Sequence, residues 1–124
     1  MKILVVDDEH DIKDLFLQRF RKEIYNQEVE FEFAFSGEEA LQYMDQHKHE
    51  TVLILSDINM PGMTGLELLK RIKTDYTSPS PVVMIITAYG DDDNFKLANE
   101  LGADGFLTKP VNFAKLKEKI KIKQ

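Results

Sequence analysis

The chain has 124 residues, of which 43% are hydrophobic and 31% charged, a composition typical of one soluble globular domain covering residues 1–124. Its formal charge of −6 disfavours direct binding to nucleic acid, and the lack of cysteine excludes disulfides and thiol chemistry. Because every apolar run is too short for a signal peptide or a membrane span, we expect a cytoplasmic protein without a membrane partner.

Apolar runs alternate along the chain with segments of helical periodicity. The five runs are residues 3–6, 28–35, 52–55, 82–86 and 105–107. The first, third and fourth are continuously apolar, which is typical of strands buried on both faces of a sheet. The second alternates between charged and apolar side chains and the fifth is very short, so these two are predicted to lie at the edges.

Local signals mark the ends of the predicted helices. Ser36 and Thr64 each precede a glutamate by three residues, the pattern of a helix capping box, and Asn112 is the predicted N-cap of the last helix. Gly102 stands where a left-handed residue would end the fourth helix. The first helix is predicted to continue through Phe20.

Strands that alternate with crossover helices predict an α/β protein with a parallel sheet covered by helices on both faces. Edge positions for the second and fifth strands are satisfied by the order 2-1-3-4-5. That is the order of the flavodoxin-like (βα)5 three-layer sandwich, in which ligands bind beyond the carboxyl ends of the strands.

Polar side chains occur at those carboxyl ends. Asp7 and Asp8 follow the first predicted strand, Asp57 the third, Thr87 the fourth and Lys109 the fifth. Each alone is more often a helix cap or a solvated side chain, so it is their coincidence at one edge that indicates a functional site. If the first and third strands are neighbours, three carboxylates converge, and a hard cation such as Mg²⁺ would relieve their repulsion. Zinc would lack the His and Cys ligands it prefers.

The segments around these residues resemble the receiver domains of two-component response regulators. They are residues 5–9 (VVDDE), residues 56–65 (SDINMPGMTG), Thr87-Ala88 and Lys109-Pro110. They occur in the order and spacing of the family, and the resemblance extends over nearly the whole chain.

The resemblance implies a ligand set and a reaction. Asp57 would accept a phosphoryl group, and Lys109 would form an ion pair with it. Asp8 would ligate Mg²⁺ directly, or Mn²⁺ as a substitute, Asp7 would act through metal-bound water, and the carbonyl of Asn59 would complete the protein ligands.

The resemblance also implies how phosphorylation would be read out. Thr87 would hydrogen-bond a phosphoryl oxygen, and Phe106 would be the switch aromatic, although an ordinary core role for Phe106 remains open. The output surface would be the fourth helix, the fifth strand and the fifth helix. The Lys109-Pro110 bond is expected to be cis. Tyr89 is expected to lie over the phosphoryl group and slow its loss to water.

The expected phosphodonor is a sensor histidine kinase or a phosphotransfer protein, with acetyl phosphate as a small substitute. The domain is expected to be a switch, with no enzymatic activity beyond its own phosphorylation and dephosphorylation. The identity of the downstream effector protein or domain stays open. The sequence also does not decide whether the protein is a monomer or forms a dimer on phosphorylation. It likewise leaves open whether the chain is a stand-alone regulator or part of a longer protein.

Three other functions are compatible with parts of this sequence pattern. A binding module that works without phosphorylation stays open, while an aspartyl-phosphate phosphatase is disfavoured because Asn59 stands where that family has its second Asp. A flavin site is disfavoured because acidic residues follow the first strand and would repel a phosphate. The histidines at 47 and 49, and the lysines at 115, 117, 119, 121 and 123, are predicted to be solvated surface.

Overall fold

Strands and helices alternate along the chain, as the apolar runs and helical periodicities predict. The computed structural model describes residues 1–47, 50–51, 53–77, 79–88 and 90–123, with the backbone alone for 121–123. In chain order the elements are β1 (Lys2–Val6), α1 (Asp11–Arg19), α2 (Arg21–Tyr25), β2 (Glu30–Ala34), α3 (Gly37–Gln46), β3 (Leu53–Asp57), α4 (Gly65–Asp75), β4 (Val82–Thr87), α5 (Asp92–Glu100), β5 (Gly105–Thr108) and α6 (Phe113–Lys123).

The strands form one parallel five-stranded sheet in the order β2-β1-β3-β4-β5. The predicted edge strands and strand order are confirmed, and the fold is flavodoxin-like. Strand β3 is buried at all five positions, as its continuous apolar run predicts. None of the described helices is both long and apolar enough to cross a bilayer.

Successive residues of the central strands face opposite sides of the sheet and build two cores. Leu4 and Ile54 face α3, α4 and α5, where Leu68 of α4 is fully buried. Ile3 and Leu55 face α1 and α6 on the other side, with a cluster of aromatic rings. These two layers of helices hold the sheet rigid, so the loops at its carboxyl edge are carried on a fixed frame.

Three of the predicted helix boundaries are confirmed. Thr64 and Glu67 form a complete capping box, in which each side chain bonds the backbone of the other. Asn112 accepts a hydrogen bond from the Lys115 amide at 3.0 Å, as expected of an N-cap. Gly102 has φ +96°, the left-handed conformation predicted after the fourth helical segment.

The second predicted capping box is incomplete. Ser36 accepts a hydrogen bond from the Glu39 amide at 3.1 Å, but the Glu39 carboxylate accepts from the amide of Phe35 at 3.4 Å. The reciprocal bond therefore reaches one residue further back than the motif predicts, and it fixes the backbone of Phe35 in the loop after β2.

The first helix was predicted to continue through Phe20, and this is wrong. It ends at Arg19, and a short second helix follows a bend at Phe20, where φ is −105° and ψ is 16°. Phe20 is 1% exposed, and the centroid of its ring lies 4.9 Å from that of Phe31. Tertiary packing therefore overrides helical periodicity here.

The strand ranges also differ from the predicted ones, by a single residue in β1, β4 and β5 and by more in β2 and β3. Strand β2 is shorter than predicted and covers Glu30–Ala34. Strand β3 extends to Asp57, while Val52, its predicted first residue, lies outside the described residues.

Candidate functional site

The acidic residues after β1 meet the last residue of β3 because these two strands are neighbours, with Val6 opposite Ser56. Carboxylate oxygens of Asp7, Asp8 and Asp57 all lie within 4.8 Å of one another. Asp7 and Asp57 are each 3% exposed, and Asp8 is half-buried. The three carboxylates thus converge, as the sequence predicts.

Hydrogen bonds hold two of the three carboxylates in place. Asp7 Oδ1 accepts from the Glu9 amide at 2.9 Å, and Asp57 Oδ1 accepts from the Asn59 amide at 3.4 Å. Lys109 Nζ donates to Asp57 Oδ2 at 2.9 Å. The carboxylate of Asp8 has no hydrogen bond or ion pair with the described residues, so a cation could bind it without displacing a protein partner.

The electrostatics of the cluster favour added positive charge. Burial raises the pKa of Asp7, and the charge of Asp57 raises it further, against the opposing effects of the Glu9 amide and Lys109. Burial acts to lower the pKa of Lys109, but its hydrogen bond and attraction to Asp57 outweigh this, and the pKa of Lys109 is raised. One ammonium group therefore faces three carboxylates, and a divalent cation would balance them.

Two further predicted site residues lie at the same edge. Thr87 ends β4 beside the site and is 4% exposed; its hydroxyl donates to the carbonyl of Ala88 at 3.4 Å and makes no bond to Asp57. Asn59 is exposed, in the loop after β3. The Lys109-Pro110 bond is cis, as expected.

A model of the response regulator receiver domain family matches residues 3–121. The chain belongs to this family. Among solved structures, the receiver domain resembles the chemotaxis protein CheY4 of Vibrio cholerae, with 29% identity, a TM-score of 0.78 and coverage of 97% of this chain and 95% of that one. A response regulator receiver domain protein from Clostridium thermocellum has 32% identity, a TM-score of 0.78 and coverage of 97% and 90%.

Curated relatives differ in how much of them the receiver domain covers. Sporulation initiation phosphotransferase F of Bacillus subtilis is 36% identical over 121 residues, which are 97% of this chain and 90% of that protein. The transcriptional regulatory protein CpxR of Escherichia coli is 34% identical over 97% of this chain, which covers 47% of that protein. The chain thus spans nearly all of one relative and about half of another.

The receiver domain carries an aromatic pair on the side of α5 and β5. Phe106 is half-buried in β5, and its ring lies 4.2 Å from the ring of Phe95, measured between centroids. Phe95 of α5 is 47% exposed. Sequence reasoning found Phe106 but not its partner Phe95, because helical periodicity does not show which ring an exposed aromatic side chain will contact. Tyr89, the predicted shield of the phosphoryl group, lies outside the described residues.

Sequence reasoning also missed the role of Gly65, the first residue of α4. A Cβ atom there would lie 2.6 Å from the Ile58 Cα and closer still to the carbonyl oxygen of Asp57. The helix start therefore packs directly against the backbone that carries Asp57. The available signal was a glycine at the first position of a helix, where other residues have higher helix propensity.

A groove of about 770 Å³ opens beside the site, between α1 and the loop from β5 to α6. Asp7 and Lys109 lie at its rim, while Ile12, Leu15 and Phe113 give it an apolar wall. The groove was not predicted from the sequence, because periodicity shows which face of a helix is apolar but not how completely that face is covered.

The residues predicted to be plain surface have specific contacts. His47 Nδ1 pairs with Glu50 Oε2 at 2.8 Å, and the His47 ring stacks on Tyr43 at 4.3 Å. His49, also predicted to be solvated surface, lies outside the described residues. Lys117, predicted to be solvated, is half-buried and pairs with Glu23 at 3.1 Å.

Proposed function

We propose that this receiver domain is a Mg²⁺-dependent switch in which Asp57 accepts a phosphoryl group. The observation that carries the proposal is the cluster at the sheet edge, where three carboxylates lie within 4.8 Å and one of them is bonded to Lys109 at 2.9 Å. That arrangement supplies a nucleophile, a cation site and a positive charge for the transferred group.

The donor set suits magnesium. Its side-chain ligands are carboxylate oxygens, which Mg²⁺ prefers, and the carboxylate of Asp8 has no competing protein partner. We assign Asp8, Asp57 and the carbonyl of Asn59 as direct ligands, with Asp7 acting through water, and expect Mn²⁺ to substitute. When bound, the ion neutralises oxygens of the phosphoryl group during transfer.

The proposed donor is a phosphohistidine on a sensor kinase or a phosphotransfer protein. A carboxylate oxygen of Asp57 attacks phosphorus; the new O–P bond forms as the P–N bond breaks, and the electron pair leaves with the imidazole nitrogen. Lys109 is close enough to Asp57 to pair with the incoming phosphoryl oxygens. Positioning and charge stabilisation supply most of the catalysis in such transfers. The relative from Bacillus subtilis is named as a phosphotransferase, which supports this chemistry.

The groove beside the site is the proposed docking surface for the donor protein. Its rim contains Asp7 and Lys109, so a partner seated on its apolar wall would bring a phosphohistidine next to Asp57. Ile12 and Leu15 are half-buried, which leaves apolar area for the partner to cover.

The proposed output uses Thr87 and Phe106. A phosphoryl group on Asp57 offers Thr87 a stronger acceptor than the carbonyl of Ala88, to which it now donates. Movement of Thr87 towards the site leaves room for the Phe106 ring to turn inward and leave Phe95. The surface formed by α5, β5 and α6 would then present a different shape to an effector or to a second copy of the chain.

The test is stoichiometric labelling with acetyl phosphate, or binding of beryllofluoride, in the presence and absence of Mg²⁺. We expect one phosphoryl group per chain by intact mass, lost in Asp57→Asn and in EDTA. Asp75→Asn is the matched control, since Asp75 is exposed and pairs only with Arg71 among the described residues. Continuous release of phosphate without a labelled protein would indicate a phosphatase instead, and no labelling at all would indicate a binding module.

A further inference from the structure

A pair of stacked rings joins two loops at the carboxyl edge of the sheet. The imidazole of His10 lies on the ring of Phe35 with centroids 3.9 Å apart and planes only 5° from parallel. His10 follows the acidic residues after β1, and Phe35 follows β2. His10 is exposed, so the hydrophobic core does not require this ring to be where it is.

The acidic loop between β1 and α1 is anchored at its start by the sheet. The amide of Asp7 donates to the carbonyl of Ala34 at 3.1 Å, and its carboxylate accepts from Glu9. Asp8 has no side-chain partner among the described residues, so its direction depends on the backbone of residues 7–10. The far end of that segment is His10.

Hydrogen bonds at the start of α3 hold the backbone of Phe35, on whose ring His10 stacks. The Phe35 amide is bonded to Glu39, which also donates its own amide to the N-cap Ser36. His10 is itself the N-cap residue of α1, yet its side chain makes no capping hydrogen bond. Within the described residues, the imidazole therefore contacts the protein through the ring stack on Phe35. This stack connects the acidic loop to the segment that precedes α3.

We propose that His10 is a positioning residue for the metal site, and that its stack on Phe35 holds the Asp8 loop in the binding conformation before the cation arrives. His10 is not a ligand, since it is outside the cluster of Asp7, Asp8 and Asp57. Without the stack, the loop would have to be ordered when the ion binds, and this entropy cost would weaken affinity. The inference rests on the proposed Mg²⁺ site.

The experiment measures Mg²⁺ affinity by calorimetry in wild type and two variants at His10. We expect His10→Ala to raise the dissociation constant roughly three- to tenfold, the range that one stacked aromatic pair supports. His10→Phe keeps a flat ring without nitrogen and is expected to restore wild-type affinity. His47→Ala is the matched control, because it removes a histidine stacked on Tyr43 at 4.3 Å, away from the acidic cluster, and should leave Mg²⁺ affinity unchanged.

A second measurement needs no metal. In EDTA, amide hydrogen exchange at residues 8–10 should be faster in His10→Ala than in wild type, while the midpoint of thermal unfolding falls by only a few degrees, as expected for the loss of one aromatic pair. Unchanged Mg²⁺ affinity in His10→Ala, or equally poor binding by His10→Phe, would overturn the positioning role. If wild type binds Mg²⁺ but His10→Ala binds as tightly, only this inference fails; if wild type binds none, the proposed function fails with it.

Discussion

At the scale of single residues, Asp7 carries an electrostatic cost of the site. It is 3% exposed, and burial together with the charge of Asp57 raises its pKa above that of an ordinary aspartate. A carboxyl whose pKa is raised on folding favours the folded state below its unfolded pKa, and this contribution is lost as pH rises through the folded pKa. Near neutral pH, ionised Asp7 therefore destabilises the metal-free protein.

Replacement of this charge should stabilise the fold while it impairs the site. In EDTA at pH 7, we expect Asp7→Asn to increase the free energy of unfolding by about 1 kcal/mol, because it removes a buried, poorly compensated charge. Urea denaturation measures this, and Mg²⁺ binding should weaken in the same variant. Asp75→Asn, at an exposed position, should change neither; lower stability of Asp7→Asn would contradict the account.

The raised pKa of Asp7 also predicts the pH dependence of metal binding. Mg²⁺ favours the ionised carboxyl, so its affinity should fall as pH is lowered, and the fall should begin above the range in which an ordinary aspartate titrates. Mg²⁺ binding in that range should release protons. Calorimetry in two buffers of different ionisation enthalpy measures the release; affinity that stays constant until the pKa of a free aspartate would argue against a role for Asp7.

The meeting of Asp7, Asp8, Asp57 and Lys109 was predictable from sequence because parallel strands end at a common edge. Their positions follow from strand order alone. The hydrogen bond from Thr87 to the carbonyl next to it was not predictable, because a threonine hydroxyl has several acceptors within reach and its rotamer depends on its neighbours.

At the scale of elements, the start of α4 is locked to the end of β3. The amide of Gly65 donates to the carbonyl of Ile58 at 2.9 Å, and the helix begins at the Thr64 capping box. This contact places the backbone that carries Asp57 against a helix N-terminus. The alternation of elements was predictable from periodicity, but this approach distance was not, because it depends on how the helix packs on the sheet.

We therefore expect Gly65→Ala to be costly. Its Cβ would lie 2.6 Å from the Ile58 Cα, and backbone cannot yield as a side chain can. The free energy of unfolding should fall by about 2–3 kcal/mol, as for overpacked cores, and labelling of Asp57 should slow. Gly105→Ala is the control, since its Cβ would meet the flexible side chain of Met84, no closer than 3.3 Å. Equal stability of the two variants would contradict the locked contact.

At the scale of the whole molecule, the acidic site and the proposed output surface are joined by β4 and β5. Thr87 ends β4 opposite Thr108 of β5, and Phe106 stands two residues earlier on that strand. A signal at Asp57 can reach Phe106 only if two arrangements of this region are close in free energy. The tilted ring contact between Phe106 and Phe95 stabilises the arrangement seen here, in which Thr87 is turned to Ala88.

Loss of this ring contact should lower the free energy needed to move Phe106 inward. An aromatic pair contributes about 0.5–1.5 kcal/mol, so Phe95→Ala should shift the equilibrium towards the inward Phe106 by roughly two- to tenfold. A ligand that favours the inward state then binds more tightly by the same factor, because less of its binding energy is spent on the change of state. Titration with beryllofluoride in excess Mg²⁺ measures the effect. Thr87→Ala removes the link between the acidic site and the Phe106 ring. The variant that combines Phe95→Ala with Thr87→Ala should therefore show no gain in beryllofluoride affinity. A gain that persists without Thr87 would mean that Phe95 acts on the site by another route.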